Sequence, residues 1–434
     1  MPTAPKSITA FHQNHRGAAA SGLDWWHQCV AQIERVEPEV RAWEALATEP
    51  PPLDPTLSGR PLFGVPVGIK DIIDTRDHPT AWGTGGYLRS SESLVDASLV
   101  SLLKQQGALI MGKTVSTEFA YFTPGKTRNP HDTSRTPGGS SSGSAAAVAA
   151  GMVPVAFGTQ TAGSMIRPAS YCGVYGFKPT FNTLSTAGVR GFAPSLDTIG
   201  WFARSVEDVS TVFSSLTGAD SIRPASSLKG LRLGVFSLPS ATTMSTDVQR
   251  VLAEAEAMAR HAGAEIVPLA LGSDIECLVE EQKVVMAYES ARTLASEYAA
   301  FADQMGPKLV ELIEEGRAIG WSRYRDAMRR AAAARQSLSR VLTTQVDGIL
   351  AASATGEAPL GIDATGDPLY CRAWTLLGVP CLNLPIGQGS QGMPIGVQLI
   401  TDRWADEKLL AMAGALVAQA SEGQPHALEG IAPV

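Results

Sequence analysis

Short apolar segments alternate with amphipathic helical segments along most of this chain, and this alternation restricts the fold more than any other sequence feature. Residues 62–71 predict a strand that ends at Lys70, residues 94–106 an amphipathic helix, and residues 108–111 a buried strand. Further short strands are predicted at 153–157, 231–236, 265–270, 347–350, 380–385 and 396–400. Because strands that alternate with helices pack into layers around a sheet, we predict an α/β fold.

The composition excludes several classes of protein. Of the 434 residues, 44% are hydrophobic and 18% are charged, as in folded globular proteins. The formal net charge is −7 and no basic segment dominates, so neither a nucleic acid nor an anionic membrane surface is expected as a partner. The 42 glycines and 28 prolines place a large share of the chain in turns and loops, where functional sites are often found.

Cysteine usage and hydropathy bear on the cellular compartment. The five cysteines are scattered, odd in number and never arranged as Cys-x-x-Cys, so neither a disulfide framework nor a thiolate metal site is predicted. The N-terminal residues contain no continuous apolar segment, and no later segment has the roughly 18 uninterrupted apolar residues of a membrane span. We therefore expect a cytoplasmic protein that is neither secreted by the usual route nor integral to a membrane.

The pattern along the chain indicates one large domain. Residues 1–22 are polar and rich in small residues, which is typical of a flexible arm. A helical pattern follows from Trp25 to Ala47, and no internal repeat or long linker divides the remainder. We predict a flexible N-terminal arm over 1–22 and a single domain over 23–434, with a helical region at about 276–345.

One segment fits the spacing of a nucleotide-binding loop. Residues 107–114, GALIMGKT, match G-x4-G-K-[ST] and would make Lys113 the phosphate-binding lysine. That loop needs a strand before its first glycine and a flexible backbone that surrounds the phosphates. Here a helix precedes Gly107, and residues 108–111 are themselves strand-like. The pattern favours a helix–glycine–strand junction, and a nucleotide-binding protein is the alternative from another functional class.

A second segment fits the G-x-S-x-G turn that carries the nucleophile of α/β-hydrolases. Residues 139–143, GSSSG, would make Ser141 that nucleophile. Such a turn directly follows an apolar strand, which residues 129–138, NPHDTSRTPG, cannot supply. It also needs an acid and then a histidine later in the chain, where only His261 and His426 are available. Ser141 is therefore a secondary candidate.

Three separated segments carry a more specific signal when they are taken together. They are Lys70 at the end of an apolar strand, the turn PGGSSSGS at 137–144, and TQTAGS at 159–164 followed by IRPA. In this order they resemble the amidase signature family. Further matching segments are EFA at 118–120, TRNP at 127–130, YCGVYGFKPT at 171–180, PSLDTIG at 194–200, WTLLGVP at 374–380 and PIGVQLI at 394–400. The resemblance covers about residues 25–420 and implies a large mixed, twisted β-sheet covered by helices on both faces.

Amide cleavage by a serine needs a base for the hydroxyl proton, donors for the developing oxyanion and an acid for the leaving amine. No histidine lies in a serine-rich or glycine-rich turn, so a lysine becomes a candidate base. Lys70 follows the apolar residues VPVGI, and loss of water around an ammonium group lowers its pKa, so that part of the population is neutral. Asp71 would point to the other face of the strand, so it need not keep Lys70 charged.

The resemblance assigns the remaining roles. It implies that Ser164 is the nucleophile, that Lys70 is the base, and that Ser140, whose preceding peptide bond is cis in the family, relays protons between them. The residues implied for the oxyanion hole are Thr161, Ala162, Gly163 and Ser164. The residues expected to line the substrate pocket are Tyr121, Phe122, Gly138 and Gly139.

The sequence departs from the common family pattern at three positions. Gln160 replaces a frequent aspartate, and Ala162 replaces the first glycine of a Gly-Gly pair. Arg167 lies one position later than the usual arginine. These changes leave the lysine and the two serines in place, but they remove the aspartate that would pair with the arginine.

The resemblance thus implies a hydrolase that cleaves the C–N bond of a small carboxylic amide, through an acyl-Ser164 intermediate. Anilides, carbamates and urea-like compounds are further candidate substrates. It implies no cofactor and no metal, and the expected assembly is a monomer or a homodimer. An alternative within the family is the glutamine-hydrolysing subunit of a tRNA-dependent amidotransferase, which passes ammonia to a partner.

Overall fold

A mixed β-sheet forms the framework of the molecule. The computed structural model describes residues 7–15, 19–88, 93–237, 244–269 and 271–423. The eleven strands in these ranges are β1 (Trp43–Leu46), β2 (Pro66–Lys70), β3 (Leu109–Thr114), β4 (Val155–Gln160), β5 (Tyr175–Lys178), β6 (Thr198–Ala203), β7 (Arg232–Phe236), β8 (Glu265–Pro268), β9 (Gly348–Ala352), β10 (Cys381–Gln388) and β11 (Pro394–Ile400). They form one sheet in the order β1-β3-β2-β4-β6-β5-β10-β11-β9-β7-β8.

Helices connect most of these strands. Within the described ranges they are α1 (Ile8–His15), α2 (Ala19–Val40), α3 (Ser98–Gln105), α4 (Ser142–Ala149), α5 (Ile166–Cys172), α6 (Val206–Thr217), α7 (Thr246–His261), α8 (Gly272–Thr293), α9 (Ala295–Phe301), α10 (Pro307–Ala318), α11 (Trp321–Thr344), α12 (Leu369–Leu377) and α13 (Asp406–Gly423). The predicted α/β class and the large mixed sheet are confirmed. None of the described helices is both long enough and apolar enough to cross a membrane.

The strand order interleaves distant parts of the chain. β2 lies between β3 and β4 and is parallel to both, whereas β4, β6, β5, β10, β11 and β9 pair in antiparallel fashion. β7 joins the far end through parallel pairing with β9 and β8. Because β5 pairs directly with β10, strands from both halves of the chain share one sheet and one hydrophobic core.

The junction between α3 and β3 shows how local sequence sets the fold. Leu99, Val100 and Leu103 of α3 are buried, as expected for an amphipathic helix. The chain then reverses at Gly107, where φ is +82° and an added Cβ would lie 2.8 Å from the Cα of Phe63. This arrangement is the helix–glycine–strand junction that the sequence predicts.

The N-terminal segment contains more structure than a flexible arm. Within the predicted arm, α1 spans Ile8–His15 and α2 begins at Ala19, earlier than the predicted start at Trp25. Ile8 and Phe11 are buried, and the backbone N–H of Ile8 donates to the Asp208 carboxylate over 2.8 Å. The i, i+3 spacing of the two apolar residues accounts for this packing. Residues 1–6 and 16–18 of the predicted arm lie outside the described residues.

The parallel strands at one end of the sheet determine where a site can form. β2, β3 and β4 run in the same direction, so their carboxyl ends meet at one edge. Lys70 ends β2, and Gln160 ends β4. The segments that lead into α4 and α5 lie near this edge, which is where open α/β sheets commonly bind ligands.

Candidate active site

Lys70 is enclosed completely at the end of β2. All five residues of the strand are buried, and the Lys70 side chain has no exposed surface. Its Nζ donates to Ser140 Oγ over 2.6 Å and to Thr159 Oγ1 over 3.0 Å. Burial lowers the pKa of Lys70 to about 7, and the nearby negative charge of Asp197 partly opposes this shift. A substantial fraction of Lys70 is therefore neutral near pH 7 and able to accept a proton.

Asp71 forms an ion pair on the other side of the strand. Its carboxylate lies 3.3 Å from Lys113 Nζ and also accepts from the backbone N–H of Ala81. Burial raises the pKa of Asp71 to about 6 and lowers the pKa of Lys113. Because the Asp71 carboxylate pairs with Lys113 on the opposite face of the strand, as the strand alternation predicts, the Lys70 amine contacts only hydroxyl groups.

Lys113 has no role in a phosphate-binding loop. It lies inside β3, fully buried, and its Nζ also donates to Thr80 Oγ1 over 2.7 Å. A phosphate-binding lysine must project from a loop toward solvent, whereas this one closes an interior ion pair. The structure therefore contradicts the interpretation of residues 107–114 as a phosphate-binding loop.

Ser140 reaches Lys70 from the turn that precedes α4. The peptide bond between Gly139 and Ser140 is cis, as the resemblance implies. The backbone carbonyl of Ser140 accepts from the N–H of Thr117 over 3.2 Å. Its Oγ accepts from Lys70 and lines a cavity, so this hydroxyl lies between the buried amine and the space open to a ligand.

Ser141, the secondary candidate, has a structural role. Its Oγ accepts from the backbone N–H of Thr159 and donates to the carbonyl of the same residue, both over 3.2 Å. These bonds attach the serine-rich turn to β4. The Ser141 side chain is fully buried. Of the two histidines available to Ser141 as a nucleophile, His426 lies outside the described residues.

The segment that contains Ser164 joins β4 to α5, and side chains fix its carbonyl groups. The carbonyl of Thr161 accepts from Gln282 Nε2 over 2.9 Å, and the carbonyl of Ala162 accepts from Thr375 Oγ1 over 2.7 Å. Among the described residues, the backbone N–H groups of Ala162, Gly163 and Ser164 have no hydrogen-bond acceptor. These N–H groups are therefore available to an oxyanion, for which small residues permit close approach.

Gln160 occupies the position of the missing aspartate. Its Oε1 accepts from the backbone N–H groups of Met165 (2.8 Å) and Ile166 (3.1 Å), and its Nε2 donates to Thr375 Oγ1 over 2.9 Å. The neutral amide thus orders the start of α5 without a charged partner. Arg167 forms no ion pair with position 160, which agrees with the departure seen in the sequence.

Ser140 and Ser164 line the same small cavity. The other residues that line it are Ala120, Tyr121, Phe122, Thr161, Ala162, Arg167, Phe192, Met286, Thr365 and Pro368. Tyr121 and Phe122, two of the residues expected in the substrate pocket, thus line the same cavity as the two serines. Gly138 and Gly139 are absent from the lining, and the Gly139 carbonyl instead accepts from the Arg167 side chain over 2.7 Å.

A larger surface groove of about 1400 Å³ lies beside β1 and β3. Its lining contains no serine, and its one lysine, Lys104, forms ion pairs with Asp77 and Asp96. The groove therefore lacks the pairing of a serine with a lysine that the smaller cavity provides. The smaller cavity is the better candidate because it brings a serine pair to a lysine with a lowered pKa.

Sequence reasoning missed several residues that support this cavity. Asp197 accepts from the Thr161 hydroxyl over 2.5 Å and from the backbone N–H groups of Phe192 and Ala193. Asp197 lies in the segment PSLDTIG that matches the family, but the sequence analysis assigned it no role. Gln282, in contrast, comes from α8, far along the chain, and no local pattern marks it.

Comparison with known proteins agrees with this geometry. The family model described as Amidase matches residues 28–410. The chain is 33% identical to a Glutamyl-tRNA(Gln) amidotransferase subunit of Oleidesulfovibrio alaskensis, over 89% of this chain and 92% of that protein.

Solved structures show the same architecture. The native peptide amidase of Stenotrophomonas maltophilia superposes with a TM-score of 0.80 at 26% identity, covering 99% of both chains. A Glutamyl-tRNA(Gln) amidotransferase subunit of Thermotoga maritima gives a TM-score of 0.80 at 26% identity, covering 94% of both. The chain therefore belongs to the amidase signature family, whose enzymes hydrolyse the C–N bonds of amides.

Proposed function

We propose that this enzyme hydrolyses small carboxylic amides through an acyl-Ser164 intermediate, with Ser140 and Lys70 as a proton relay. The single observation that carries the proposal is the 2.6 Å contact between the buried Lys70 Nζ and Ser140 Oγ, at a cavity that Ser164 also lines. A lysine that is neutral near pH 7 supplies the base that a serine nucleophile requires.

In the first half-reaction, Ser164 Oγ attacks the carbonyl carbon of the amide. The Ser164 proton passes to Ser140 Oγ while the Ser140 proton passes to Lys70 Nζ. The oxygen that becomes negative accepts hydrogen bonds from the backbone N–H groups of Ala162, Gly163 and Ser164. The C–N bond then breaks, the amine takes a proton from Ser140, and Lys70 returns its proton to Ser140.

The second half-reaction uses the same groups. Water attacks the ester carbonyl of acyl-Ser164 and gives its proton to Ser140, which again passes one to Lys70. When the C–O bond to Ser164 breaks, the serine recovers a proton through Ser140 and the carboxylic acid leaves. Because one relay serves both steps, no cofactor is required.

The assembly and compartment are also part of the proposal. We infer a small-molecule amide as substrate and a monomer or homodimer as the working form. The five cysteines are all free, and four of them are buried, which is consistent with a reducing cytoplasm.

A serine-reactive fluorophosphonate tests the nucleophile directly. Intact-mass spectrometry of the wild type is expected to show one adduct, which is lost in Ser164→Ala and retained in Ser185→Ala, a surface serine used as the matched control. A screen of primary amides should then detect released ammonia. An adduct that persists in Ser164→Ala would place the nucleophile elsewhere, and Ser141 would be tested next.

The second candidate function is glutamine hydrolysis as part of a tRNA-dependent amidotransferase. It is favoured by the likeness to the Glutamyl-tRNA(Gln) amidotransferase subunit of Oleidesulfovibrio alaskensis, which spans 89% of this chain. Purification of the tagged chain from its native cells distinguishes the two. Recovery of two stoichiometric partner proteins, with glutamine preferred over other amides, would support the amidotransferase, whereas an active chain purified alone supports the proposed amidase.

A further inference from the structure

The turn that precedes Ser164 is held from the carbonyl side of its peptide groups. The carbonyl of Thr161 and the N–H of Ala162 belong to one peptide group, and this carbonyl accepts from Gln282 Nε2 over 2.9 Å. The next peptide group joins the N–H of Gly163 to the Ala162 carbonyl, which accepts from Thr375 Oγ1 over 2.7 Å. A hydrogen bond to a carbonyl draws electron density from the N–H of the same peptide group, so this N–H becomes a stronger donor. Both N–H groups lie in the proposed oxyanion hole.

The chemistry of its neighbours fixes the orientation of the Gln282 amide. The Gln282 side chain has no exposed surface, so bulk water does not compete for it. Its Oε1 accepts from Arg372 Nη1 over 2.5 Å. A guanidinium can only donate and a carbonyl can only accept, so Oε1 must face Arg372 and Nε2 must face Thr161. One amide of α8 therefore connects a charged group of α12 to the oxyanion turn.

Arg372 supplies a full positive charge to this connection. The residue is 6% exposed, and none of the ion pairs in the described ranges includes it. The negative charges of Asp367 and Glu280 act on it only from beyond ion-pair distance. A hydrogen bond from a charged donor is roughly twice as strong as a neutral one. The Arg372 contact therefore polarises the Gln282 amide and makes its Nε2 a stronger donor.

The contact at Thr375 is weaker in two respects. Thr375 Oγ1 accepts from the neutral amide of Gln160 over 2.9 Å, so its donor strength is not raised by a charged group. Its single proton can also be donated to the Cys371 carbonyl at 3.0 Å. Gln282, in contrast, has a charged donor on its other side. The Ala162 N–H is therefore more strongly polarised than the N–H that follows it.

We propose that Gln282 is a positioning residue that transmits the positive charge of Arg372 to the Ala162 N–H and so strengthens the oxyanion hole. The inference rests on the proposed hydrolysis through acyl-Ser164. Neither Gln282 nor Arg372 lines the cavity, so both act without touching the substrate. A stronger N–H stabilises the negative oxygen of the transition state more than the neutral carbonyl of the bound amide. Loss of this connection should therefore lower kcat and leave KM nearly unchanged.

Gln282→Glu separates this role from space filling. Glutamate has the shape of glutamine and keeps an oxygen for Arg372, but it replaces the Nε2 donor with an anionic oxygen that faces the Thr161 carbonyl. At about pH 9, where Lys70 is neutral, we expect kcat to fall about 30-fold with KM within about threefold of the wild type. Gln336→Glu, at an exposed position of α11, makes the same change of charge and should retain the wild-type kcat. A wild-type kcat in Gln282→Glu would overturn the inference.

Methionine substitutions test whether Arg372 acts through Gln282. Methionine fills similar space but has no hydrogen-bond donor. Gln282→Met and Arg372→Met are each expected to lower kcat about tenfold, and the double variant should lie within about threefold of Gln282→Met. Losses that multiply to about 100-fold would contradict the transmission. Arg372→Lys keeps the charge and should retain a higher kcat than Arg372→Met, whereas equal losses would contradict a role for the charge.

Phosphorus NMR of the fluorophosphonate adduct examines the oxyanion hole without turnover. The phosphonyl oxygen on Ser164 takes the place of the oxyanion, so the ³¹P resonance depends on the hydrogen bonds that this oxygen accepts. We expect the resonance in Gln282→Glu to move from its wild-type position toward that of the unfolded adduct, and the resonance in Gln336→Glu to stay. Arg372→Met should show the same displacement, so a second variant decides if Gln282→Glu does not fold by circular dichroism.

The two possible failures are distinguishable. An unmoved resonance in the folded variants would overturn the inference, while the adduct itself would still support Ser164 as the nucleophile. If the wild type forms no adduct and hydrolyses no amide, the proposed function is contradicted, and the inference with it.

Discussion

At the scale of single residues, Lys70 has an unusual environment for a lysine. Its side chain has no exposed surface, and its Nζ bonds to two hydroxyl groups instead of a carboxylate. Burial of a charge without a direct partner is unfavourable, so the population of the neutral Lys70 amine increases. This environment leads to predictions on pH dependence and on substitution.

The activity is expected to depend on pH through Lys70. Its pKa is about 7, and only the neutral amine can accept a proton, so protonation below this pH removes the base. We expect kcat/KM to fall about tenfold per pH unit below about pH 7 and to level off above it. Unfolding must be followed over the same range to exclude acid denaturation. A flat profile from pH 5.5 to 9 would contradict the role of Lys70.

Asp197 is predicted to set the position of that profile. Its negative charge opposes the lowering of the Lys70 pKa, so removal of this charge should lower the pKa further. In Asp197→Asn the acidic limb of kcat/KM is therefore expected to move to lower pH. Asp208→Asn, a change to a buried carboxylate near the N-terminal helix, is the control. A shift to higher pH in Asp197→Asn would contradict the assignment.

Removal of the base or the nucleophile should abolish most of the activity. Lys70→Ala and Ser164→Ala are each expected to lower kcat by several orders of magnitude, since each loses a group that reacts in both steps. The double variant should have a kcat close to that of the less active single variant, because the two groups act as a unit and their losses do not multiply. Near-normal kcat in either single variant would overturn its role.

At the scale of elements, the turn between β4 and α5 is held by close packing. An added Cβ at Gly163 would lie 2.8 Å from Pro368 Cβ and 3.1 Å from Cys371 Cβ, at the start of α12. Neither neighbour can move aside easily, because both are buried and the pyrrolidine ring also restricts Pro368. The three N–H groups proposed for the oxyanion hole therefore depend on the position of α12.

Gly163→Ala tests this dependence. The substitution should displace the turn and lower kcat about 100-fold, because small misplacements of reacting groups have large effects on rate. The loss of unfolding free energy should be about 1–3 kcal/mol. Gly59→Ala, where an added Cβ meets nothing within 4 Å, should change neither quantity. Full activity in Gly163→Ala would argue against these N–H groups as the oxyanion hole.

At the scale of the whole molecule, the sheet joins both halves of the chain. β5 and β10 are neighbours, and the buried Trp25 and Trp374 belong to helices at opposite ends of the sequence. A fragment that lacked β10 and β11 would expose the edge of β5. We therefore infer that the chain unfolds as a single domain.

Thermal or denaturant unfolding can check that inference. Tryptophan fluorescence and far-UV circular dichroism should give coincident transitions, because no part of the sheet is independent of the rest. The labelling capacity of Ser164 should be lost over the same range. Two separated transitions would indicate two domains.

Several parts of this structure were readable from the sequence because they depend on local patterns. The strand that ends at Lys70 follows from its run of apolar residues. The junction at Gly107 follows from a glycine between a helical pattern and an apolar segment, and the structure shows a positive φ there. The contacts of Gln282 with the Thr161 carbonyl, and of Arg372 with Gln282, depend on how α8 and α12 pack. No local pattern records such packing, so these contacts could not be predicted.

The N-terminal segment also shows that long-range packing cannot be predicted from local sequence. Its polar composition predicted a flexible arm, but Ile8 and Phe11 are buried and the N–H of Ile8 donates to Asp208. Two apolar residues in a polar segment are a weak signal when their partner lies about 200 residues away. Arg167 was likewise noticed only as a displaced residue, and its place in the cavity wall emerged from the fold.

Because Lys70 is buried and accepts its proton only through Ser140, the proposed relay works in the same way whether water or an amine gives the proton to Ser140. Water and an amine each give up one proton to the same oxygen when they attack acyl-Ser164. By microscopic reversibility, hydrolysis and amide formation then share one path. In a solvent poor in water and rich in amine, we therefore expect acyl-Ser164 to partition toward the amide, according to the relative concentrations and reactivities of the two nucleophiles.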